Sequence, residues 1–138
     1  MSDGFHPPLE EYLEAIHELE EEGTQVIQAR LAERLGHSAP SVSEMIRRLA
    51  TEGYLVVTNR AVTLTAKGRK RAESVVRKHR LWEVYLTRRL ELPSDHVHRD
   101  AEAMEHALTE RAVEALEEML GFPAEDPHGR AIPPRRTA

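Results

Sequence analysis

The chain has no cysteine. Disulfides, thiolate metal ligands and cysteine zinc fingers are therefore excluded, and any metal site must be built from carboxylate, imidazole, thioether, backbone oxygen or water. No apolar run approaches the roughly 18 residues of a membrane-spanning helix, and Met1-Ser2-Asp3-Gly4 does not open a charged-then-apolar export signal. A cytoplasmic protein is expected. Also missing are an H-E-x-x-H pair, a glycine-rich phosphate loop, a Ser/His or Cys/His nucleophile arrangement, internal repeats and low-complexity tracts. These absences argue against an enzyme. At 138 residues the chain is long enough for one compact domain or two small ones.

Charge is present but unevenly distributed. Residues 24–80 carry 12 Lys+Arg against 4 Asp+Glu, net +8; the remainder carries 7 against 20, net −13, which together make the formal −5. A polyanion responds to the local basic face, so the overall acidity does not exclude nucleic acid as a partner. The acidic remainder suits cations.

Hydrophobic spacing gives the elements. Leu9, Tyr12, Leu13, Ile16 and Leu19 recur at helical intervals before Gly23, and a short helix over 29–35 stops at Gly36. Ser38 is placed to cap a third helix reaching about Glu52, with Pro40 tolerated in its first turn. Two β-prone runs, 54–58 and 61–65, flank Asn59-Arg60 and predict a hairpin. Thr65 then caps a long helix to about Leu90. A helix is predicted from about Ser94 through His106 and another over 109–120, and four of the eight prolines fall in the last sixteen residues, predicting an irregular tail. The expected fold is mainly α: a winged helix-turn-helix over 1–73 and an all-helical metal-binding and dimerisation domain over 74–138. Leu108, Val113, Leu116 and Leu120, with Ala112 and Ala115 allowing close approach, are expected to form the interface of a homodimer.

If the third helix packs through Val42, Met45, Ile46 and Leu49, its helical repeat turns Pro40, Glu44, Arg47 and Thr51 outward, with Ser43 and Arg48 beside them. Together with Ser38 and Ser41 at its start, this is a surface for base edges: Arg suits guanine, Glu accepts from cytosine, and Ser is adaptable. Arg60 at the wing tip is placed to reach backbone or minor groove, and the Lys67, Arg69, Lys70, Arg71 cluster suits phosphate. Further on, Glu102, Glu105 and His106 stand at i, i+3 and i+4, Glu11 and Glu14 at i, i+3, and His79 and Glu83 at i, i+4. Oxygen with imidazole suits Mn²⁺ or Fe²⁺, although zinc, cobalt and nickel often bind such sites as tightly. His6, His37, His96 and His128 are expected on surfaces or loops, and His17 on an outer part of helix one.

The segments Glu10-Glu11-Tyr12-Leu13, Ala32-Glu33-Arg34-Leu35, Leu64-Thr65-Ala66-Lys67-Gly68, Arg77-Lys78-His79-Arg80-Leu81, Glu102-Ala103-Met104-Glu105-His106 and Pro127-His128-Gly129-Arg130-Ala131-Ile132-Pro133 closely resemble, in order, the diphtheria-toxin-repressor and manganese-transport-regulator family. The resemblance implies a homodimer that binds palindromic operator DNA when loaded with Mn²⁺ or Fe²⁺ and represses metal uptake. The iron branch has methionine where this chain has Glu11 and cysteine where it has Glu102, whereas the manganese branch has carboxylates at both. The implied binuclear manganese site is Glu11, Glu14, His79, Glu102, Glu105 and His106. Glu83 and His98 match an ancillary site of the iron branch, which keeps Fe²⁺ as the alternative. The iron branch completes that site from an SH3-like third domain. This chain ends at Ala138, either as a short two-domain form or by truncation.

Overall fold

A computed structural model describes residues 7–135, without the side chains of Pro7 and Ala107. The expectation for His6 lies outside the described residues. By internal contact the chain divides into two compact units, the first ending at Glu73 and the second beginning at Ser74.

The first unit is a three-helix cluster with a two-stranded wing. Helix α1 (Pro7–Glu21) begins with prolines whose missing N–H groups fall in the first turn, where no intrahelical partner exists. Its Leu9, Tyr12, Leu13, Ile16 and Leu19 are all buried. Helix α2 (Gln28–Leu35) ends at Gly36, whose φ of 68° is left-handed and lets the His37 N–H reach the Ala32 carbonyl at 3.1 Å. Helix α3 (Ala39–Thr51) starts from Ser38, whose hydroxyl accepts the Ser41 N–H. Leu31, Val42, Ile46 and Leu49 close the core against α1.

Strands β1 (Leu55–Thr58) and β2 (Ala61–Leu64) pair antiparallel, Leu55 opposite Leu64 and Thr58 opposite Ala61. Asn59 and Arg60 turn the hairpin with φ of 49° and 70°, the double left-handed geometry that matches strand twist. Leu55, Val62 and Leu64 seal the helical core. The Val62 N–H also bonds the Val26 carbonyl at 2.8 Å, tying the wing to the segment before α2.

Helix α4 (Ala66–Arg88) begins in the first unit and continues into the second. The Thr65 hydroxyl accepts the Gly68 N–H at 3.1 Å and donates to the Gly53 carbonyl at 2.6 Å. Gly68 is required by close approach: a Cβ there would sit 1.9 Å from the Tyr54 carbonyl oxygen.

In the second unit, α5 (Ser94–Met104) and α6 (Glu110–Met119) pack on the remainder of α4. The predicted helix through His106 is shorter than expected. Its α-geometry stops at Met104, and Glu105–Ala107 form a 3₁₀ turn before Thr109 caps α6. The expected dimer stripe is also used differently. Val113, Leu116 and Leu120 are buried with Leu81, Val84 and Ile132, and Leu108 packs against them, so this stripe builds the subunit's own core. Arg88 and Arg89 donate to the carbonyls of Leu120 and Met119, satisfying the end of α6. Within the proline-rich tail, residues 123–135 are arranged about a bridge between Glu125 and Ala131, and Ile132 returns to the core. Buried Arg80 donates to the Ala131 carbonyl beside it.

Candidate metal centre and nucleic-acid face

On α3 the apolar residues turn inward, which leaves Pro40, Glu44, Arg47, Arg48 and Thr51 exposed, with Ser38 and Ser41 exposed at its start and Ser43 half-buried. Arg47 leans on the Ser43 hydroxyl at 3.5 Å, and Arg48 pairs with Glu52 at 3.0 Å. Arg60 is exposed at the hairpin tip. The basic start of α4 is largely occupied within the unit. Lys67 donates to the Glu52 carbonyl and lies over the Tyr54 ring, Arg69 pairs with Glu20, and Arg71 pairs with Glu10 and donates to the Tyr54 hydroxyl. Three of the four cations expected to meet phosphate therefore brace α1 and the end of α3.

Glu11 and Glu14 both lie on α1, Glu11 half-buried and Glu14 buried. Glu11 stands 3.7 Å from the Nε2 of His37, which sits in the turn between α2 and α3. His17, expected on an outer part of α1, is buried and lies 3.7 Å from Glu21.

The second unit gathers the remaining donors around His79 and Glu83, one turn apart on α4. His79 Nδ1 is 2.7 Å from Glu105 Oε1, both residues being buried. A carboxylate there receives the Nδ1 proton and turns the Nε2 lone pair the other way, the usual means of orienting a metal-binding imidazole. Nε2 points to Glu83 Oε2 at 3.3 Å and to His98 Nδ1 at 3.0 Å. His98 Nδ1 is 3.4 Å from the same Glu83 oxygen, and His128 Nδ1 is 3.6 Å from it.

Three imidazole nitrogens thus crowd one buried carboxylate oxygen that receives no well-formed hydrogen bond. Burial pushes the Glu83 carboxyl up, but His79, His98 and Asp126 outweigh it and hold the group well below the usual carboxylate range. His98 is raised, chiefly by Glu83. Asp126 is raised by burial and then by Glu83, against the His128 and Arg130 N–H groups that its Oδ1 accepts. Two donor triads result, His79–Glu83–His98 and Glu83–Asp126–His128, each with ligand atoms within 4.8 Å of one another. A buried carboxylate oxygen ringed by imidazole nitrogens and a second carboxyl fits a transition-metal dication.

The structure does not keep the predicted Glu102, Glu105, His106 face on one α-helix. The 3₁₀ turn intervenes: Glu102 is exposed, 3.5 Å from His98 Nε2, while Glu105 is buried on His79 and His106 is half-buried. Asp126 was missed from sequence because it falls in a proline-rich tail with no periodicity. His128 is the exposed loop residue expected, yet its ring faces Glu83 and its Nε2 lies 3.1 Å from the Ser94 carbonyl. The Pro127-His128-Gly129 stretch was the available signal. His96 is exposed beside Asp95.

A winged helix-turn-helix followed by a helical unit that concentrates imidazole and carboxylate donors has the architecture of a metal-responsive DNA-binding regulator. The chain belongs to the iron-dependent repressor family: residues 5–61 match its N-terminal DNA binding domain and residues 65–134 its metal binding and dimerisation domain. Neither is a catalytic domain. Similar proteins include the iron-dependent repressor IdeR of Mycobacterium leprae, 43% identical over 125 residues that cover 90% of this chain and 54% of that protein. The chain thus spans about half the length of the curated relatives it matches. Among solved structures, a manganese-dependent transcriptional repressor in complex with manganese is 42% identical, with a TM-score of 0.86 over 91% of this chain and 58% of that one. The manganese regulator SloR is 38% identical, with a TM-score of 0.84 over 94% and 60%. Among the described residues no helix is long and apolar enough to cross a membrane.

Proposed function

We propose that the chain is a metal-dependent transcriptional repressor that binds palindromic operator DNA as a homodimer in the cytoplasm and controls metal uptake or homeostasis. The carrying observation is the convergence of His79, His98 and His128 on Glu83 in a chain of this family. The effector is Mn²⁺, with Fe²⁺ as the alternative: Glu11 and Glu102 are carboxylates, and hard oxygen donors favour Mn²⁺. By residue correspondence the regulatory ligands are Glu11, Glu14, His79, Glu102, Glu105 and His106, and Glu83 with His98 belongs to an ancillary set. A dication there supplies positive charge that relieves repulsion among carboxylates. Ser38, Pro40, Ser41, Ser43, Glu44, Arg47, Arg48 and Arg60 form the DNA-contacting set, the first seven at the start and along the outer face of α3.

A gel-shift titration with promoter DNA from the organism's metal-transporter genes, with and without Mn²⁺, tests this reading. A band that appears or strengthens with Mn²⁺ supports it. No band in either state defeats the repressor reading, and a metal-indifferent band reduces the chain to a winged-helix module without an effector. Calorimetry of wild type and Glu102→Ala tests the ligand set: equal Mn²⁺ stoichiometry and affinity would remove Glu102 from it.

A further inference from the structure

His37 sits in the turn that launches α3, and α1 engages both of its ring nitrogens. The Tyr12 hydroxyl is 2.8 Å from Nδ1, and Glu11 Oε1 is 3.7 Å from Nε2. Tyr12 is 2% exposed, and its phenolic O–H has the Nδ1 lone pair within hydrogen-bonding distance, so it donates there. The same tautomer is selected from the other side. A lone pair on Nε2 would face a carboxylate oxygen, whereas an Nε2–H is attracted to it. The rings of Tyr12 and His37 lie 5.5 Å apart between centroids, fixing the imidazole plane. The two residues adjoining His37 are also constrained, Gly36 by its left-handed φ and Ser38 as the cap of α3.

We propose that His37 is a positioning residue that holds Glu11 in the metal-free chain and must surrender it when a dication binds. The inference rests on the proposed function, in which Glu11 is a metal ligand. A carboxylate oxygen 3.7 Å from Nε2, an electrostatic approach longer than a hydrogen bond, is turned toward the helix-turn-helix turn, so metal and imidazole compete for one side chain. When metal takes Glu11, the Nε2–H loses its anionic neighbour on the exposed edge of the turn, two residues before α3. There the acceptor class it fits is a phosphate oxygen of bound DNA. The competition links metal occupancy to the segment that sets the start of α3.

The sign of one measurement separates this role from the others available to a histidine. For the full chain without DNA, His37→Ala is expected to bind Mn²⁺ roughly three- to tenfold more tightly than wild type, the scale of one lost polar contact. A ligand, or a residue that merely supports the fold, gives weaker binding when removed. His37→Gln, which can present an amide N–H to Glu11, is expected to return the affinity toward wild type. Tyr12→Phe, which frees the tautomer, is expected to fall between wild type and His37→Ala. Urea denaturation of each variant establishes that it is folded. With promoter DNA present, His37→Ala is expected to gain less DNA affinity from Mn²⁺ than wild type does. Unchanged or weaker Mn²⁺ binding by folded His37→Ala overturns the inference while the metal reading stands. Failure of the wild type to bind Mn²⁺ overturns both.

Discussion

Glu83 and Asp126 place ligand oxygens within 4.8 Å of each other in a buried setting, where two full negative charges repel at a cost that a cation or a proton between them removes. The imidazoles side with Glu83 and hold it low, so Asp126 is the group pushed up, by burial and then by Glu83. The pH dependence follows from that direction. A carboxyl whose folded value is raised contributes stability below its ordinary value of 3.8, and the contribution is lost as pH rises through the folded value. Near neutrality the metal-free chain therefore carries a repulsive pair. Asp126→Asn keeps the Oδ1 acceptor for the His128 and Arg130 N–H groups and removes the charge. It is expected to stabilise the protein in chelator by about 1 kcal/mol and to lower its gain in stability from Mn²⁺. Thermal melts near pH 7 in chelator and in Mn²⁺ should show both effects; a loss of stability in chelator would mean that the charge is not in conflict with Glu83.

At the scale of elements, two substitutions separate contacts within the chain from contacts between chains. Gly68→Ala drives a methyl into the Tyr54 carbonyl, a backbone atom that no side-chain rotation relieves, and the joint between wing and α4 must open. A cost of about 3 kcal/mol in urea denaturation is expected, at the upper end of overpacking penalties; a loss under about 0.5 kcal/mol would show the joint to be pliable. Val113→Ala and Leu116→Ala each remove packing from the core shared with Leu81 and Val84. Each is expected to cost about 1 to 4 kcal/mol with no change in the sedimentation-determined state of the folded protein. A folded monomer from either variant, against a dimeric wild type, would restore the stripe to an interface role.

Those elements also show what the sequence made legible. Helix ends at Gly36, Ser38 and Thr65 were readable because each is a capping event decided within four residues, and the hairpin because Asn59-Arg60 parts two β-prone runs. The apolar stripe of α6 was visible, but periodicity says only that a face is buried, not by which chain. The 3₁₀ turn at Glu105 was not legible, because Glu102, Glu105 and His106 satisfy helical spacing on paper. Nor was the pairing of Lys67, Arg69 and Arg71 with the Glu52 carbonyl, Glu20 and Glu10, which depends on contacts up to 61 residues apart. Glu83 was singled out beside His79, whereas Asp126 entered the cluster only through the fold.

For the molecule as a whole, linkage gives a test that needs no assumption about the path between metal and DNA. The basic middle of the sequence, net +8 over residues 24–80, is expected to supply affinity for any duplex through counterion release, a part that falls as salt rises whether or not metal is bound. The metal contributes a separate factor, the ratio of its affinities for the DNA-bound and free protein, expected to be about 5- to 150-fold. Thermodynamic closure requires Mn²⁺ to tighten promoter DNA by the same factor that the DNA tightens Mn²⁺. Glu105 is the residue at which to break this linkage. It is buried on His79, and Glu105→Gln removes the charge while leaving an oxygen to accept the Nδ1 proton, so the fold is expected to survive. Fluorescence anisotropy for DNA and calorimetry for Mn²⁺, each with the other ligand absent and saturating, should give one factor for wild type from both directions. For Glu105→Gln the factor should approach one, with the weak metal-free DNA affinity and its salt dependence unchanged. Persistence of the wild-type factor in Glu105→Gln would place the effector site elsewhere, while a fall in metal-free DNA affinity would mean that the variant had damaged the DNA-binding half itself.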